Sequence, residues 1–260
     1  MRSSIVAFLT DFGTEDGYAG AMKGRLLSLA PHVNVIDISH EIEPYNIQQA
    51  AFCLNNSYPH FPEKTIFVVV VDPGVGTPRK GIVLETSKHV FIGPDNGVFS
   101  FVCRQEGYRA YEILMDSLDD GVSSTFHGRD VFSRLAAWLA NGRSLRQNVQ
   151  PIEQVNSFLN PMQQISKKEF LLEVFHVDHF GNLILNLHKD DCLKLESIED
   201  PGIRYKELQL TGVHKTFGEV AEGEYLLTWD SSNFLQIAKN KGNAAMGLQA
   251  SVGDSVTLFG

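Results

Sequence analysis

The sequence predicts an α/β protein: an N-terminal, mostly parallel sheet with helices on both faces, plus a smaller C-terminal all-β, barrel-like domain. Three observations predict this. Continuous apolar runs at 5–9 and 66–71 have the length and composition of strands buried on both faces. Segments with helical spacing separate the strands of the first half, which implies a largely parallel sheet. Beyond residue 168 the helical spacing gives way to short strands divided by Gly, Asp and Asn turns.

The first apolar run ends at Thr10-Asp11-Phe12-Gly13. A helix is predicted after Asp16, which suits an N-cap, running to about Ala30. Ala19, Met22, Leu26 and Leu29 recur along it at helical spacing, and Pro31 stops it. A strand over 33–38 and a helix over 46–56 follow. The run at 66–71 ends in the polar, glycine-rich turn 72–79, and further strands are predicted over 81–85 and 89–92. A helix over 131–140 gathers Phe132, Leu135, Ala136 and Leu139 on one face. From 142 to 168 the periodicity fades and polar residues and prolines accumulate, as in a linker. Strands are then predicted over 170–177, 183–187, 205–210, 223–229, 234–238 and 255–259. The domains are placed at 1–160, which includes the start of the linker, and 169–260.

With 260 residues and an apolar share of 43%, the chain has material for one large core or two unequal ones. A net charge of −9 repels phosphate backbones and argues against a nucleic-acid partner. Cys53, Cys103 and Cys192 are far apart, odd in number and without CxxC spacing. They read as reduced thiols in or near a core, not as a zinc or disulfide framework. Residues 1–10 are too short and too quickly followed by Asp11 for a signal peptide. No apolar run approaches the ~20 residues of a membrane span. The expectation is a cytoplasmic protein with neither membrane nor nucleic-acid partner.

In open α/β sheets, ligands bind beyond the carboxyl ends of the strands. Two such ends carry the polar turns 11–13 and 72–79, which makes Asp11, Asp72 and Arg79 site candidates. Capping of a helix or turn is the other role open to each Asp. His127 lies in the polar turn 124–130 at a helix start, where a catalytic and a structural histidine are both plausible roles. Asp178-His179-Phe180-Gly181-Asn182 and Asp230-Ser231-Ser232-Asn233-Phe234 offer small polar groups, and both also read as plain hairpin turns. Asp11-Phe12-Gly13 shares its letters with the magnesium-binding tripeptide of protein kinases, but no glycine-rich loop or HRD precedes it. Gly74-Val75-Gly76 lacks the third glycine and the helix of a dinucleotide fingerprint, and no GxSxG turn marks a serine hydrolase.

Taken together, the blocks resemble one family, the S-adenosylmethionine hydroxide adenosyltransferases and their halogenase relatives, the adenosyl chlorinases and fluorinases. The resemblance rests on Thr10 to Gly13 with Asp16, Tyr18 and Lys23-Gly24, on Val71 to Thr77 with Arg79, and on Gly93 to Gly97. It continues through Thr125 to Asp130, Asp178 to Asn182, and Ser231 to Ala238, in unbroken order along almost the whole chain. It implies hydrolysis of S-adenosylmethionine to adenosine and methionine with no cofactor. It also implies a homotrimer whose ligand lies between the N-terminal domain of one subunit and the C-terminal domain of its neighbour. Asp11 matches the carboxylate that holds both ribose hydroxyls, and Tyr45 an aromatic group against the sugar from the adjoining subunit. Asp178 and Ser231 match groups that hold the methionine ammonium and carboxylate, and Asn182 an adenine contact. Ser232 stands where the halogenases have an arginine. Asp72, Arg79 and His127 match the catalytic trio: Asp72 as base or orienter of water, Arg79 fixing it and supplying positive charge, His127 completing the water's hydrogen bonds.

Two alternatives are distinguishable. A halogenase needs a dry site for an anion, which a carboxylate at Asp72 repels. Fluorinases also carry an additional N-terminal-domain loop that the span 95–125 leaves no room for. A non-catalytic S-adenosylmethionine-binding protein would keep Asp11, Asp178 and Asn182 but would not require the trio. No ligand-spaced cluster of His, Cys or Asp points to a metal.

Overall fold

The two patterns in the sequence form two units, Met1–Leu159 and Asn160–Gly260, in a computed structural model that describes residues 4–118, 121–159, 162–195, 198 and 200–260. Residue 160, where the first domain was placed to end, lies outside the described residues, as do residues 1–3 of the segment read against a signal peptide.

The first unit comprises β1 (Ile5–Thr10), α1 (Tyr18–Leu29), β2 (Asn34–Ser39), α2 (Ile47–Ser57), β3 (Ile66–Val70), β4 (Gly81–Thr86), β5 (Val90–Pro94), α3 (Ser100–Gln105), β6 (Tyr108–Ile113), α4 (Ser133–Ala140) and β7 (Val149–Ile152). The strands make one seven-stranded sheet in the order β2-β1-β3-β5-β4-β6-β7. From β2 to β5 the pairings are parallel. Then β4, β6 and β7 extend the sheet antiparallel, because the turn between β4 and β5 is too short for a parallel crossover.

Both faces of the parallel strands are covered, which explains apolar runs that do not alternate with polar residues. Val6, Phe8, Val68, Val70 and Ile92 face α1 and α4 through Met22, Leu26, Leu135 and Ala136. Ala7, Leu9, Phe67, Val69 and Phe91 face the other way, onto Ala50 and Leu54 of α2 and onto Phe99 and Val102. Phe67 and Phe91 are cross-strand partners whose rings stack at 5.0 Å. Burying each side chain of this size stabilises the sheet by roughly 1.5–3 kcal/mol. At Gly93 a Cβ would lie 2.3 Å from the Val69 carbonyl oxygen, so only glycine lets β5 close against the end of β3.

Several predicted boundaries shift for identifiable reasons. Asp16 does not cap α1: Gly17 occupies that place in a left-handed conformation (φ 74°), and no side chain caps the helix. Asn46 does cap α2, accepting from the Gln49 N–H at 2.9 Å. The helix predicted from 131 begins as a π-helical turn, Gly128–Phe132, before α4. The stretch read as a linker contains an edge strand in each unit, β7 here and the fully exposed, mostly polar β8 in the next.

The second unit comprises β8 (Gln163–Ser166), β9 (Glu169–Val177), β10 (Leu183–His188), α5 (Lys189–Cys192), β11 (Gly202–Tyr205), β12 (Leu208–Thr211), β13 (Val213–His214), β14 (Tyr225–Trp229), β15 (Phe234–Lys239), α6 (Ala244–Leu248) and β16 (Ser255–Phe259). The order is β12-β11-β16-β9-β10-β15-β14-β13, with β8 also on β9. The long β9 pairs with β16 through its first half and with β10 through its second. Since β12 also lies against β14, the sheet is a nearly closed barrel around Leu172, Val174, Leu185, Leu235, Ile237 and Val256. The single strand predicted over 205–210 is a hairpin: Tyr205 pairs with Leu208, and Lys206 takes the left-handed turn (φ 52°). All three cysteines are free. Among the described residues, no helix is long and apolar enough to cross a membrane.

Candidate active site

Two adjacent parallel strands, β1 and β3, end at the same level, Thr10 opposite Val70. Asp11 follows the first directly, and Asp72 follows the second after Val71. The side chain of Asn96 donates to the Val71 carbonyl at 2.8 Å and fixes that strand end. Burial raises the Asp11 pKa, the backbone N–H groups of Tyr45 and Asp11 oppose this, and the Asp72 charge adds to the rise.

Arg79 closes the turn begun at Asp72. Its Nε donates to Asp72 Oδ1 at 2.8 Å and its Nη2 donates to Asp72 Oδ2. The Asp72 and Arg79 side chains are only 5% and 12% exposed. Within the turn, the Gly74 carbonyl accepts from the N–H of Thr77 at 3.1 Å and from its hydroxyl at 2.7 Å. Gly76 (φ +75°) rests on the next loop, where a Cβ would lie 2.5 Å from the Ser124 carbonyl oxygen. That loop delivers His127, whose Nδ1 lies 2.9 Å from Arg79 Nη2. A guanidinium can only donate, so Nδ1 is the acceptor and the ring proton sits on Nε2. Burial lowers the His127 pKa, the Arg79 charge lowers it further, and Asp72 and Asp130 act against them.

The surroundings hold this cluster in place. Asp130 accepts from Arg129 Nε at 2.7 Å and from the Ser123 N–H at 3.0 Å, which ties both sides of the His127 loop together. The Arg79 guanidinium lies over Phe132, 5.5 Å from its ring centre. Phe12, Tyr18 and Phe126 pack ring against ring at 5.5–6.0 Å, so the neighbours of Asp11 and His127 share one aromatic wall.

The structure gathers Asp11, Tyr45, Asp72, Arg79 and His127 in the first unit. The Tyr45 N–H donates to Asp11 Oδ2 at 2.8 Å, from a left-handed residue (φ 69°) whose side chain is 71% exposed. Within one chain only the Tyr45 backbone meets Asp11, while its side chain is exposed. They meet because β2, whose loop carries Tyr45, is the parallel neighbour of β1.

Asp178, Asn182 and Ser231 belong to the second unit. Asp178 Oδ1 accepts from the N–H groups of Phe180 (2.9 Å) and Asn182 (2.8 Å), and Oδ2 accepts from Asn182 Nδ2 (2.8 Å). Asp178 and Asn182 therefore do build a hairpin turn. Asp230 closes the other turn by accepting from Ser232 and Phe234, both at 2.8 Å, and leaves Ser231 exposed at the tip. Burial raises the Asp230 pKa against those backbone bonds, and Asp178 adds to the rise. Asn96, Asp130 and Asp230 lie in blocks the sequence marked, but no role was assigned to any of them. Asp followed two residues later by a small polar residue was the available signal for Asp230. For Asn96 and Asp130 the partners are set only by the fold. Among the described residues, no group of three or more His, Cys, Asp or Glu gathers as metal ligands.

Fold and site define a two-unit protein with an Asp–Arg–His cluster at the carboxyl ends of a parallel sheet. Residues 6–148 match the SAM hydroxide adenosyltransferase N-terminal domain and residues 172–257 its C-terminal domain. The chain is 35% identical to the (R)-S-adenosyl-L-methionine hydrolase of Methanocaldococcus jannaschii, over 98% of this chain and 95% of that one. It superposes with a TM-score of 0.86 on the crystal structure of an uncharacterized conserved protein from Thermotoga maritima, 35% identical, covering 98% of this chain and 100% of that one. The fluorinase of Nocardia brasiliensis is more distant, 25% identical over 99% of this chain and 97% of its own. The chain belongs to the S-adenosylmethionine hydroxide adenosyltransferase family.

The cluster makes a spectroscopic prediction. At pH 7 His127 is expected to be neutral with its proton on Nε2, and to titrate below the ordinary histidine value, because burial and Arg79 both disfavour the cation. Arg79→Gln should move that midpoint upward. Nitrogen-15 NMR of labelled histidine reads both, and a charged His127 at pH 7, or a midpoint unmoved by Arg79→Gln, contradicts the assignment.

Proposed function

We propose that this chain hydrolyses S-adenosylmethionine to adenosine and methionine, with water attacking the ribose 5′ carbon. The observation that carries this reading is the bonding of one guanidinium to both Asp72 and His127. The leaving group is a neutral thioether released from a sulfonium, so it needs no acid. The weak partner is water. Its oxygen forms the bond to the 5′ carbon, the carbon–sulfur pair goes to sulfur, and its proton goes to a base. Asp72 suits that role, because each carboxylate oxygen keeps a lone pair beyond its bond to Arg79. His127, with Nδ1 occupied, offers Nε2–H as a donor to the water. General base help of this kind contributes roughly 10²–10⁴-fold, and alignment of water, carbon and sulfur adds to it. No cofactor is required by these steps.

In the same proposal, Asp11 accepts from both ribose hydroxyls with Tyr45 beside the sugar. Asp178 and Ser231 hold the methionine ammonium and carboxylate, and Asn182 contacts adenine. The name of the archaeal relative specifies the (R) epimer at sulfur, and we extend that preference to this chain. The active assembly is a cytoplasmic homotrimer with sites shared between subunits. Sedimentation at micromolar concentration should then give roughly three times 28.9 kDa, and a fully active monomer would remove the shared site. Halide use is disfavoured, since the buried Asp72 carboxylate repels an anion.

Reaction in ¹⁸O-labelled water tests the chemistry. Adenosine should carry the label at its 5′ hydroxyl, methionine should carry none, and added chloride should give no 5′-chloro-5′-deoxyadenosine. Asp72→Ala and His127→Ala should lower kcat far more than they raise KM. Label in homoserine, methylthioadenosine as the main product, or ready formation of the chloride would each overturn the mechanism.

A further inference from the structure

A second set of hydrogen bonds lies behind Asp11, and none of its side chains has a part in the proposed reaction. Thr10, the last residue of β1, is wholly buried. Its Oγ1 lies 2.8 Å from His40 Nδ1 and accepts from the Phe12 N–H at 3.3 Å. His40 is buried too, and its Nε2, otherwise without a partner, faces Asp37 Oδ1 at 3.1 Å. Lys23 Nζ holds Asp37 Oδ2 at 2.9 Å. The carbonyl of His40 accepts from the Gly13 N–H at 2.8 Å.

Donor and acceptor capacities set the direction of this chain of contacts. An ionised carboxylate only accepts, so the proton facing Asp37 belongs to His40 Nε2. With that proton on Nε2 and none on Nδ1, Nδ1 accepts from the Thr10 hydroxyl. The lone pairs of Oγ1 are left for the Phe12 N–H. His40 thereby fixes the backbone on both sides of Asp11: Thr10 before it, and Phe12 and Gly13 after it. The strand register prepares this arrangement. Phe8 pairs with Asp37 but Leu9 pairs with Ser39, an irregularity that carries the 37–40 segment across the end of β1.

We propose that His40 is a positioning residue for ribose recognition. Through its ring bond to Thr10 it sets the Asp11 carboxylate so that both of its oxygens meet the vicinal hydroxyls, and so makes the site selective for ribonucleosides over deoxyribonucleosides. The proposal rests on Asp11 as the ribose-binding group. A buried histidine that served stability alone would leave nucleoside selectivity unchanged in any variant that folds.

Calorimetry of the intact protein with adenosine and with 2′-deoxyadenosine separates these roles. A hydroxyl bond to a charged group is worth on the order of tenfold or more in affinity, so the wild type should prefer adenosine by at least that much. Thr10→Val and His40→Ala should lose most of the preference, and Thr10→Ser should retain it. Asp11→Asn serves as the reference for complete loss. If folded His40→Ala and Thr10→Val keep the wild-type preference while Asp11→Asn loses it, His40 does not position the carboxylate. If Asp11→Asn itself keeps the preference, the ribose assignment fails and this proposal fails with it. If His40→Ala does not fold, Thr10→Val breaks the same bond and decides alone.

Discussion

Arg79 bonded to Asp72 is the contact on which the rest of the site depends. Both side chains are nearly buried, and an uncompensated charge in such a place costs several kcal/mol. Here the two charges compensate each other through two hydrogen bonds. The same guanidinium reaches His127, and because it can only donate, it decides which nitrogen of that ring carries the proton. One cation thus fixes two neighbours: a carboxylate held at both oxygens and a histidine whose cation it disfavours.

The fold is shaped around that contact. Gly76 allows the turn between Asp72 and Arg79 to rest on the backbone of the His127 loop, and Gly93 lets β5 reach the end of β3. Asn96 then ties off the strand immediately before Asp72. On the other side, β1 and β3 end level with each other, so Asp72 stands near enough for its charge to help raise the Asp11 pKa. Layers of apolar side chains on both sheet faces keep this geometry rigid.

Much of this was legible in the sequence, for physical reasons that also explain the failures. Strands buried on both faces announce themselves as unbroken apolar runs, so β1 and β3 were plain. The polar turns after them were site candidates by position alone, which found Asp11, Asp72 and Arg79. His127 was visible because a polar turn preceded a helix. Edge strands such as β7 and β8 bury little and read as linker. The hairpin of β11 and β12 read as one strand because its turn residues, Lys206 and Glu207, are neither glycine nor proline. The backbone bond from Tyr45 to Asp11 was not legible because it spans 34 residues, a distance closed by strand order and not by any local pattern. His40, 30 residues from Thr10, was invisible for the same reason.

The central claim is that Asp72 and His127 act as one unit through Arg79. Groups that act as a unit lose their function together, and groups that act independently lose it multiplicatively. The direct measurement is the single-turnover rate of S-adenosylmethionine cleavage at saturating substrate for Asp72→Asn, His127→Ala and the double variant. The account predicts a double variant within about twofold of the slower single variant. A double variant slowed by the product of the two single effects would contradict it.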